Sequence, residues 1–576
     1  MKDTDNIYCR ILLDVLEAHG IRDIIASPGS RNAPLLISCS YRERLTTRVV
    51  TDERTAGFIA LGIAMVTKRP VALICTSGTA LYNYAPAVAE AYYQGIPLIV
   101  ISADRPAHWI DQEDSQTLAQ PGALNKIVKK SFDIPVKSDN KEMEWYVNRI
   151  ANEAAIISLD NKPGPVHINI QIDTPISKTE DVGSSSTRII RTVEAAPSLA
   201  PNDIRMLFQK LEGKKILIVV GYMAPDNDLN KYISLFSTLP GVIVLCETLS
   251  NIHINGNPYA VDSVISGLSD EIKLALRPDI VISLGGALIS RMLKEYIRNQ
   301  APEVWTLGDS YYGVDVFKNL SLNIRTSPAF FFKVFYHTLR KYYEKRPETG
   351  TNLSAYTKIW NYVKDAQLEA RKQFTADAEW SELKAFEKIL NCIPRKYNLF
   401  LSNGTPVRYA QLFTENIPHA SYSNRGVSGI DGTNATAVGC ALAYNDPTLL
   451  ITGDMSFAYA PGILGLDFLP ASFKIIVINN KGGGIFRFIS PTRYIEHRDK
   501  FFCADPKVPV KELTATYGWT YFSAGSEKQL EEILPVFFAS ETNVLLEIAI
   551  DDEEYSASLL RKYMRIDATD KKQIKK

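Results

Sequence analysis

An α/β fold, built from three doubly wound domains with mainly parallel sheets, is predicted by three features of the sequence. Short apolar runs that end in Gly, Ser, Asn or Asp alternate with helical patterns, as expected for parallel strands joined by crossover helices. The 576 residues are too many for one hydrophobic core at roughly 150 residues per domain. Two polar stretches interrupt the alternation, so we expect domains at 1–178, 198–345 and 355–576.

The first domain is predicted to be a sheet with helices near 55–67 and 80–93. Its expected strands are DIIASPG (23–29), VALICTSG (71–78), IPLIVISAD (96–104) and PVHINIQID (165–173). The stretch from about 174 to 202 is rich in Ser, Thr and Pro and has no sustained period. It is interpreted as a linker.

The second and third domains follow the same alternation. Expected strands of the second are at 215–223, 242–250, 279–288 and 304–310. Those of the third are at 398–405, 421–426, 448–456, 474–483 and 543–550. The polar stretch KRPETGTNLS, near 345–355, is expected to separate these two domains.

Composition excludes several classes of function. The chain has 64 Lys and Arg against 64 Asp and Glu, and this zero net charge argues against nucleic acid as the main partner. Its apolar runs are far shorter than the ~20 residues that span a bilayer, so we expect no integral membrane segment. The N-terminus lacks the apolar core of a signal peptide, and the seven cysteines form no CxxC pair and are expected to be reduced core residues. A cytoplasmic protein is predicted.

A metal site is predicted at the carboxyl ends of two strands in the third domain. Asp454 follows one apolar run and Asn480 another, 26 positions later (480 − 454). Ligands collect at this edge of open α/β sheets, and carboxylate and amide oxygens suit a hard cation, either Mg²⁺ or Mn²⁺. The alternative is that GD and NN merely terminate strands.

The segment from GD with its following Ser456 to NN resembles the diphosphate-binding motif of thiamine-diphosphate enzymes, although Met455 stands where that family usually has Gly. The resemblance implies thiamine diphosphate as cofactor. It also implies that Asp454 and Asn480 give side-chain oxygens, and Gly482 a main-chain carbonyl, to Mg²⁺ or Mn²⁺.

The same resemblance assigns the catalytic residue as Glu53, at a predicted strand-to-helix junction. In this family a glutamate at the pyrimidine nitrogen of the cofactor activates its reactive carbon. The alternative is an ordinary acid in the first turn of a helix, where the macrodipole favours it. Because the two cofactor-binding domains come from different subunits in the family, the resemblance implies a homodimer or homotetramer with active sites between subunits.

Further blocks are similar to one branch of these enzymes, which acts in menaquinone biosynthesis. They are SPGSRNAPL (27–35), DERTAGFIALG (52–62), ISADRP (101–106), DSQTLAQPG (114–122) and YSNRGVSGIDG (422–432). This similarity implies decarboxylation of 2-oxoglutarate and conjugate addition of the resulting succinyl carbanion equivalent to isochorismate. The alternatives are another thiamine-diphosphate decarboxylase or carboligase and a catalytically silent relative. A nicotinamide oxidoreductase is disfavoured because no G-x-G-x-x-G opens a helix.

Both implied substrates carry two carboxylates, which arginine binds bidentately. The arginines within or beside the matched blocks are Arg31, Arg105, Arg291, Arg408 and Arg425. The resemblance adds Ser30 and Gln116 as polar substrate contacts. The alternatives are solvated surface charges for the arginines and a helix cap for Ser30.

The resemblance implies further cofactor contacts besides Glu53: Gly404, Thr405, Ser428, Ile430, Ser456 and Phe486. Ile430 matches the aliphatic residue that bends the cofactor, although ordinary core packing is the alternative. Two positions depart from the family. Ser290 stands where a lysine is common, and Gly404 lacks a hydroxyl that Thr405 offers next to it.

Overall fold

A computed structural model describes residues 2–569, except 174–177, 182–186, 194–197, 255–259, 309–312, 414–417, 419 and 489. The chain forms two compact units. The first comprises Met1–Glu194, Asn424–Thr448 and Tyr459–Phe473, and the second Ala195–Ser423, Leu449–Ala458 and Lys474–Lys576. Three sheets flanked by helices confirm the predicted α/β class.

The N-terminal sheet has the strand order β3-β2-β4-β5-β7-β6, with every neighbouring pair parallel. A separate antiparallel pair joins β1 to β8. The strands are β1 Lys2–Thr4, β2 Asp23–Ala26, β3 Thr46–Val49, β4 Val71–Cys75, β5 Leu98–Asp104, β6 Ser131–Ile134, β7 Val166–Gln171 and β8 Thr179–Asp181. The helices are α1 Ile7–Ala18, α2 Ala33–Ser40, α3 Glu53–Thr67, α4 Ala80–Asn83, α5 Ala85–Gln94 and α6 Lys141–Leu159, with a 3-10 turn at Ala107–Trp109.

The central sheet has the order β10-β9-β11-β12-β13, again parallel. Both of its faces are covered: Ile216, Ile218 and Val220 pack into one hydrophobic cluster, Leu217 and Val219 into another. The strands are β9 Ile216–Val220, β10 Val242–Cys246, β11 Ile280–Leu284, β12 Glu303–Leu307 and β13 Leu320–Ile324. The helices are α7 Pro201–Leu211, α8 Asn227–Phe236, α9 Val261–Ile265, α10 Asp270–Ala275, α11 Arg291–Gln300, α12 Pro328–Lys345 and α13 Pro347–Ala376, with a 3-10 turn at Thr248–Ser250.

The C-terminal sheet has the order β15-β14-β16-β17-β19-β18. Its strands are β14 Asn398–Leu401, β15 Ala420–Tyr422, β16 Thr448–Gly453, β17 Phe473–Asn479, β18 Thr520–Ala524 and β19 Val544–Ala549. Its helices are α14 Glu382–Cys392, α15 Thr405–Ala410, α16 Thr433–Ala443, α17 Asp454–Ala458, α18 Ile485–Phe488, α19 Ser490–Arg493, α20 Arg498–Phe501, α21 Val510–Thr516, α22 Glu527–Ala539 and α23 Glu553–Tyr563, with a 3-10 turn at Pro461–Gly465.

Every strand expected from an apolar run is present, although with shorter bounds. The sequence missed the strands that lack a sustained apolar run, such as β3 (TTRV) and β6 (SFDI) at the edges of the N-terminal sheet. The polar stretch near 345–355 is largely helical, because α13 begins at Pro347 and continues for 30 residues. Part of the predicted linker at 174–202 lies outside the described residues.

The cysteines are reduced, as predicted, but not all of them are buried in the core. All seven are free thiols, five of them buried, while Cys246 is half-buried and Cys392 is exposed. The prediction of core cysteines is therefore wrong for Cys392. In the part of the chain that the structure describes, no helix is both long and apolar enough to cross a membrane.

Helices α3 and α16 pack backbone to backbone in the first unit. Gly62 of α3 and Gly439 of α16 face each other at this contact. A Cβ atom on Gly439 would overlap the carbonyl oxygen of Ile59, and one on Gly62 would overlap that of Thr436. The two glycines therefore permit an approach that larger residues would prevent.

We expect Gly439→Ala to lower the free energy of unfolding by about 1–3 kcal/mol, because the added methyl group must push the two helices apart. A lower thermal unfolding midpoint would show this. Gly462→Ala is the matched control, since a Cβ there meets no atom within 4 Å. Equal midpoints for the two variants would contradict the close contact.

Candidate active site

Asp454 and Asn480 follow the carboxyl ends of neighbouring strands β16 and β17, and both are buried. Asp454 accepts hydrogen bonds from the backbone N–H groups of Gly482 (2.8 Å) and Met455 (2.7 Å). Burial raises the pKa of Asp454 to about 6. A nearby cation would oppose that rise. The three predicted metal ligands thus lie in one cluster, and their role stays a prediction.

The donor atoms in this cluster fit a hard divalent cation. The Asn480 Nδ2 donates to Glu382, so its Oδ1 is the amide atom left for a metal. The Gly482 carbonyl oxygen accepts from Arg487 Nη1 at 3.2 Å and keeps a second lone pair. Among the described residues, no group of three or more His, Cys, Asp and Glu could hold a metal ion. A cation here would therefore need mixed oxygen ligands, including those of a bound diphosphate.

Glu382 contacts this cluster and was not predicted from the sequence. It lies in the first turn of α14, is buried, and accepts hydrogen bonds from Asn480 and Tyr409. Burial raises the pKa of Glu382 to about 7, and the neighbouring Asp454 adds to the rise. Its local pattern is that of any acid in a first helical turn, so only the fold reveals its contact with Asn480.

Four other predicted cofactor contacts lie in the same unit. Thr405 opens α15 after β14, and Ser456 lies in α17 after β16; both are buried. Gly404 has a φ of 98°, in the region that favours glycine, which gives a conformational reason for its departure from the family pattern. Phe486, at the start of α18, packs against Phe502 with ring centroids 5.6 Å apart.

Glu53 is the first residue of α3 and follows edge strand β3. Its Oε2 accepts a hydrogen bond from Asn83 Nδ2 at 3.2 Å, and the side chain is half-buried. The neighbouring Asp52 caps the helix instead, accepting from the N–H of Arg54 (3.1 Å) and the hydroxyl of Thr55 (2.6 Å). The cap leaves the Glu53 carboxylate available for another role.

The loop between β15 and α16 carries Arg425, Ser428 and Ile430, all half-buried. Ser428 has a φ of 68°. Gly432, at the end of this loop, lies against the ring of Phe58 on α3. The first unit thus brings the helix that begins at Glu53 together with the loop that contains Ile430.

Two of the predicted substrate arginines lie near each other in the first unit. Arg31 is buried and donates to the carbonyl oxygens of Ile172 (2.9 Å) and Asp173 (2.6 Å). Arg105 forms an ion pair with Asp114 at 2.5 Å. Burial lowers the pKa of Arg31, and the nearby charge of Arg105 lowers it further. The carboxylates of Asp104, Asp114 and Asp173 oppose this fall, so an anionic substrate would compete with them for the two arginines.

The remaining predicted substrate residues are less closely grouped. Arg408 donates to the Gly404 carbonyl oxygen at 2.7 Å in the second unit. Arg291 pairs with Glu295 on α11, and its side chain is 69% exposed. In the first unit, Gln116 is exposed in a left-handed conformation beside Gly78.

Two serines singled out by the sequence have different local roles. Ser30 is exposed, and Asn32, not Ser30, occupies the cap position of the following helix α2. The helix-cap alternative for Ser30 is therefore wrong. Ser290 is buried, caps α11 by accepting from Leu293 N, and donates to Asp262. The serine that stands here in place of the family's common lysine therefore serves as a helix cap.

Comparison with known proteins adds to this geometry. Residues 8–123 match the family described as thiamine pyrophosphate enzyme, N-terminal TPP binding domain. The chain is 40% identical over 562 residues to the 2-succinyl-5-enolpyruvyl-6-hydroxy-3-cyclohexene-1-carboxylate synthase of Porphyromonas gingivalis, covering 96% of each chain. Proteins with the same name are 35% identical in Flavobacterium psychrophilum (93% of this chain, 94% of the relative) and Phocaeicola vulgatus (96% and 97%). The similarity extends over nearly the whole chain, including all three sheets.

Proposed function

The chain belongs to the 2-succinyl-5-enolpyruvyl-6-hydroxy-3-cyclohexene-1-carboxylate synthase family of thiamine-diphosphate enzymes, and from this premise we propose that it joins 2-oxoglutarate to isochorismate with loss of CO₂. The observation that carries the proposal is the 40% identity over 96% of both chains to a synthase of that name. The buried cluster of Asp454, Asn480 and Gly482 supports the cofactor part of the assignment.

The proposed cofactors are thiamine diphosphate and either Mg²⁺ or Mn²⁺. When bound, thiamine diphosphate supplies a carbon nucleophile for the 2-oxo group and an electron sink for decarboxylation. Asp454, Asn480 and Gly482 would hold the metal, and Thr405 and Ser456 would contact the diphosphate. These assignments rest on the buried oxygen atoms that follow β14, β16 and β17.

The chain's own residues would bind and orient the cofactor and substrates and exclude water from the site. Glu53 would hold a proton against the pyrimidine nitrogen of the cofactor, and Ile430 would fix the bend of the cofactor. Arg31 and Arg105 would neutralise substrate carboxylates, as two neighbouring cations can. Closing the site to water matters because early protonation would release succinic semialdehyde instead of product.

The direct test is to incubate the wild-type protein with thiamine diphosphate, Mg²⁺, 2-oxoglutarate and isochorismate. The amount of CO₂ released should equal the amount of isochorismate consumed, which is monitored by its ultraviolet absorbance. Omission of any component should stop both reactions. CO₂ release with isochorismate untouched would mean a different acceptor. Neither reaction in a protein that binds the cofactor would mean a catalytically silent relative.

We further propose a cytoplasmic homodimer, or a homotetramer built from such dimers, with active sites between subunits. The prediction is tested with a heterodimer of one Glu53→Gln and one Asp454→Ala chain, purified with two different tags. If each site takes Glu53 from one chain and Asp454 from the other, one of two sites is restored, and about half of the wild-type activity is expected. An inactive heterodimer would show that both residues of a site come from one chain.

A further inference from the structure

Four consecutive backbone N–H groups in the loop before α16 are bonded by two side chains of α5. Glu90 accepts from the N–H groups of Gly426 (2.5 Å), Val427 (2.7 Å) and Ser428 (3.2 Å). One turn later, Gln94 Oε1 accepts from the N–H of Arg425 at 3.1 Å. Together they fix residues 425–428 at each successive peptide group.

The Glu90 carboxylate is an unusual group to bury. Its residue is only 2% exposed, and burial raises its pKa, while the three N–H bonds and the charge of Arg425 oppose the rise. Bonds from N–H groups to a carboxylate are roughly twice as strong as neutral ones. Because an uncompensated charge would be costly here, the loop and the carboxylate hold each other in place.

The backbones of the loop and of α5 also touch. A Cβ on Gly426 would overlap the carbonyl oxygen of Glu90 and lie 2.9 Å from the N atom of Gln94. Yet the loop gives little to the hydrophobic core, since Val427 is 57% exposed. The anchoring contacts therefore define where the loop lies and do not serve to bury apolar surface.

We propose that Glu90 is a positioning residue, which fixes the 425–430 loop so that Arg425 meets the acceptor carboxylate and Ile430 meets the cofactor. This inference rests on the proposed function for the identity of those two ligands. Glu90 acts only through backbone N–H groups of the loop. Gln94 assists by holding the first residue of the same segment.

The test compares Glu90→Gln and Glu90→Ala with wild type. The glutamine keeps one acceptor oxygen but turns an NH₂ group toward an N–H donor, whereas alanine removes every bond. We expect kcat/KM for isochorismate to fall by about 10²-fold in Glu90→Ala, as for a site misplaced by about 1 Å, with a smaller loss in Glu90→Gln. Glu142→Gln, an exposed acid in α6, is the control and should match wild type.

Two measurements separate positioning from loss of fold. Hydrogen exchange of the peptide covering 424–432 should accelerate in Glu90→Ala, while the peptides of β4 and β5 remain protected. The affinity for thiamine diphosphate, measured by calorimetry without substrate, should fall in the same order as kcat/KM. Unchanged kinetics in both variants, or global loss of protection in Glu90→Gln, would overturn the proposal.

These readouts also separate failure of this proposal from failure of the proposed function. If the wild type does not consume isochorismate, the proposed acceptor is wrong. The positioning role of Glu90 is then judged only by hydrogen exchange of the 424–432 peptide and by the affinity for thiamine diphosphate. If Glu90→Ala then has the wild-type exchange rate and the wild-type affinity, the positioning role of Glu90 is overturned as well.

Discussion

Glu53→Gln is expected to lower kcat by about 10²–10⁴-fold, the range that a positioned proton-transfer group contributes. Glutamine has the same shape and can still accept from Asn83, which bonds Glu53 at 3.2 Å. It cannot, however, hold a proton against the cofactor. Steady-state kinetics should show the loss, while calorimetry should show little change in affinity for thiamine diphosphate.

The neighbouring Asp52 provides a matched control. Asp52→Asn alters a carboxylate one position away whose visible role is to cap α3. Asparagine caps helices about as well as aspartate, so this variant is expected to keep its stability and a kcat near the wild-type value. Retention of more than about a tenth of wild-type kcat by Glu53→Gln would argue against the proton-transfer role.

Asp454→Ala is expected to weaken Mn²⁺ binding in the presence of thiamine diphosphate by more than about 100-fold, beyond the 10–100-fold typical of residues behind a metal ligand. Activity at a fixed Mn²⁺ concentration should fall accordingly. The fold should survive, because the relief of a buried charge offsets the loss of the two backbone hydrogen bonds that Asp454 accepts. Electron paramagnetic resonance of free Mn²⁺ measures the binding directly.

Asp467→Ala is the control for this variant, since Asp467 is an exposed acid of the same segment. It should bind Mn²⁺ as the wild type does. Removal of metal from the wild type with a chelator should reproduce the activity loss of Asp454→Ala and be reversed by added Mg²⁺ or Mn²⁺. Normal Mn²⁺ binding by Asp454→Ala would place the cation elsewhere.

Much of the fold was predictable because buried parallel strands are continuous apolar runs. Strands β4, β5 and β7 are buried along their whole length. Edge strands β3 and β6 have exposed or half-buried polar residues, so their composition resembles that of loops. The spacing of apolar residues alone cannot distinguish such edge strands from loops.

The clustering of the candidate metal ligands was predictable because these residues directly follow strands. Asp454 and Asn480 were expected to lie close together because the carboxyl ends of neighbouring parallel strands meet. The contacts of Glu382 with Asn480 and of Glu90 with Gly426 were not predictable, because each joins a helix to a segment that is distant in sequence. Glu382 is 98 positions from Asn480, and Glu90 is 336 from Gly426. Both have the appearance of ordinary helical acids until the fold is known.

The contact between Gly62 and Gly439 has a consequence for how this protein can vary in length. Glu53 precedes Gly62 by nine positions (62 − 53), and Ile430 precedes Gly439 by nine (439 − 430). In α3 those nine positions span about 13.5 Å, and one inserted residue would move Glu53 by about 1.5 Å and rotate it by about 100°. The crossing cannot slide to compensate, because only glycine fits at either side. Both nine-residue intervals should therefore exclude insertions and deletions.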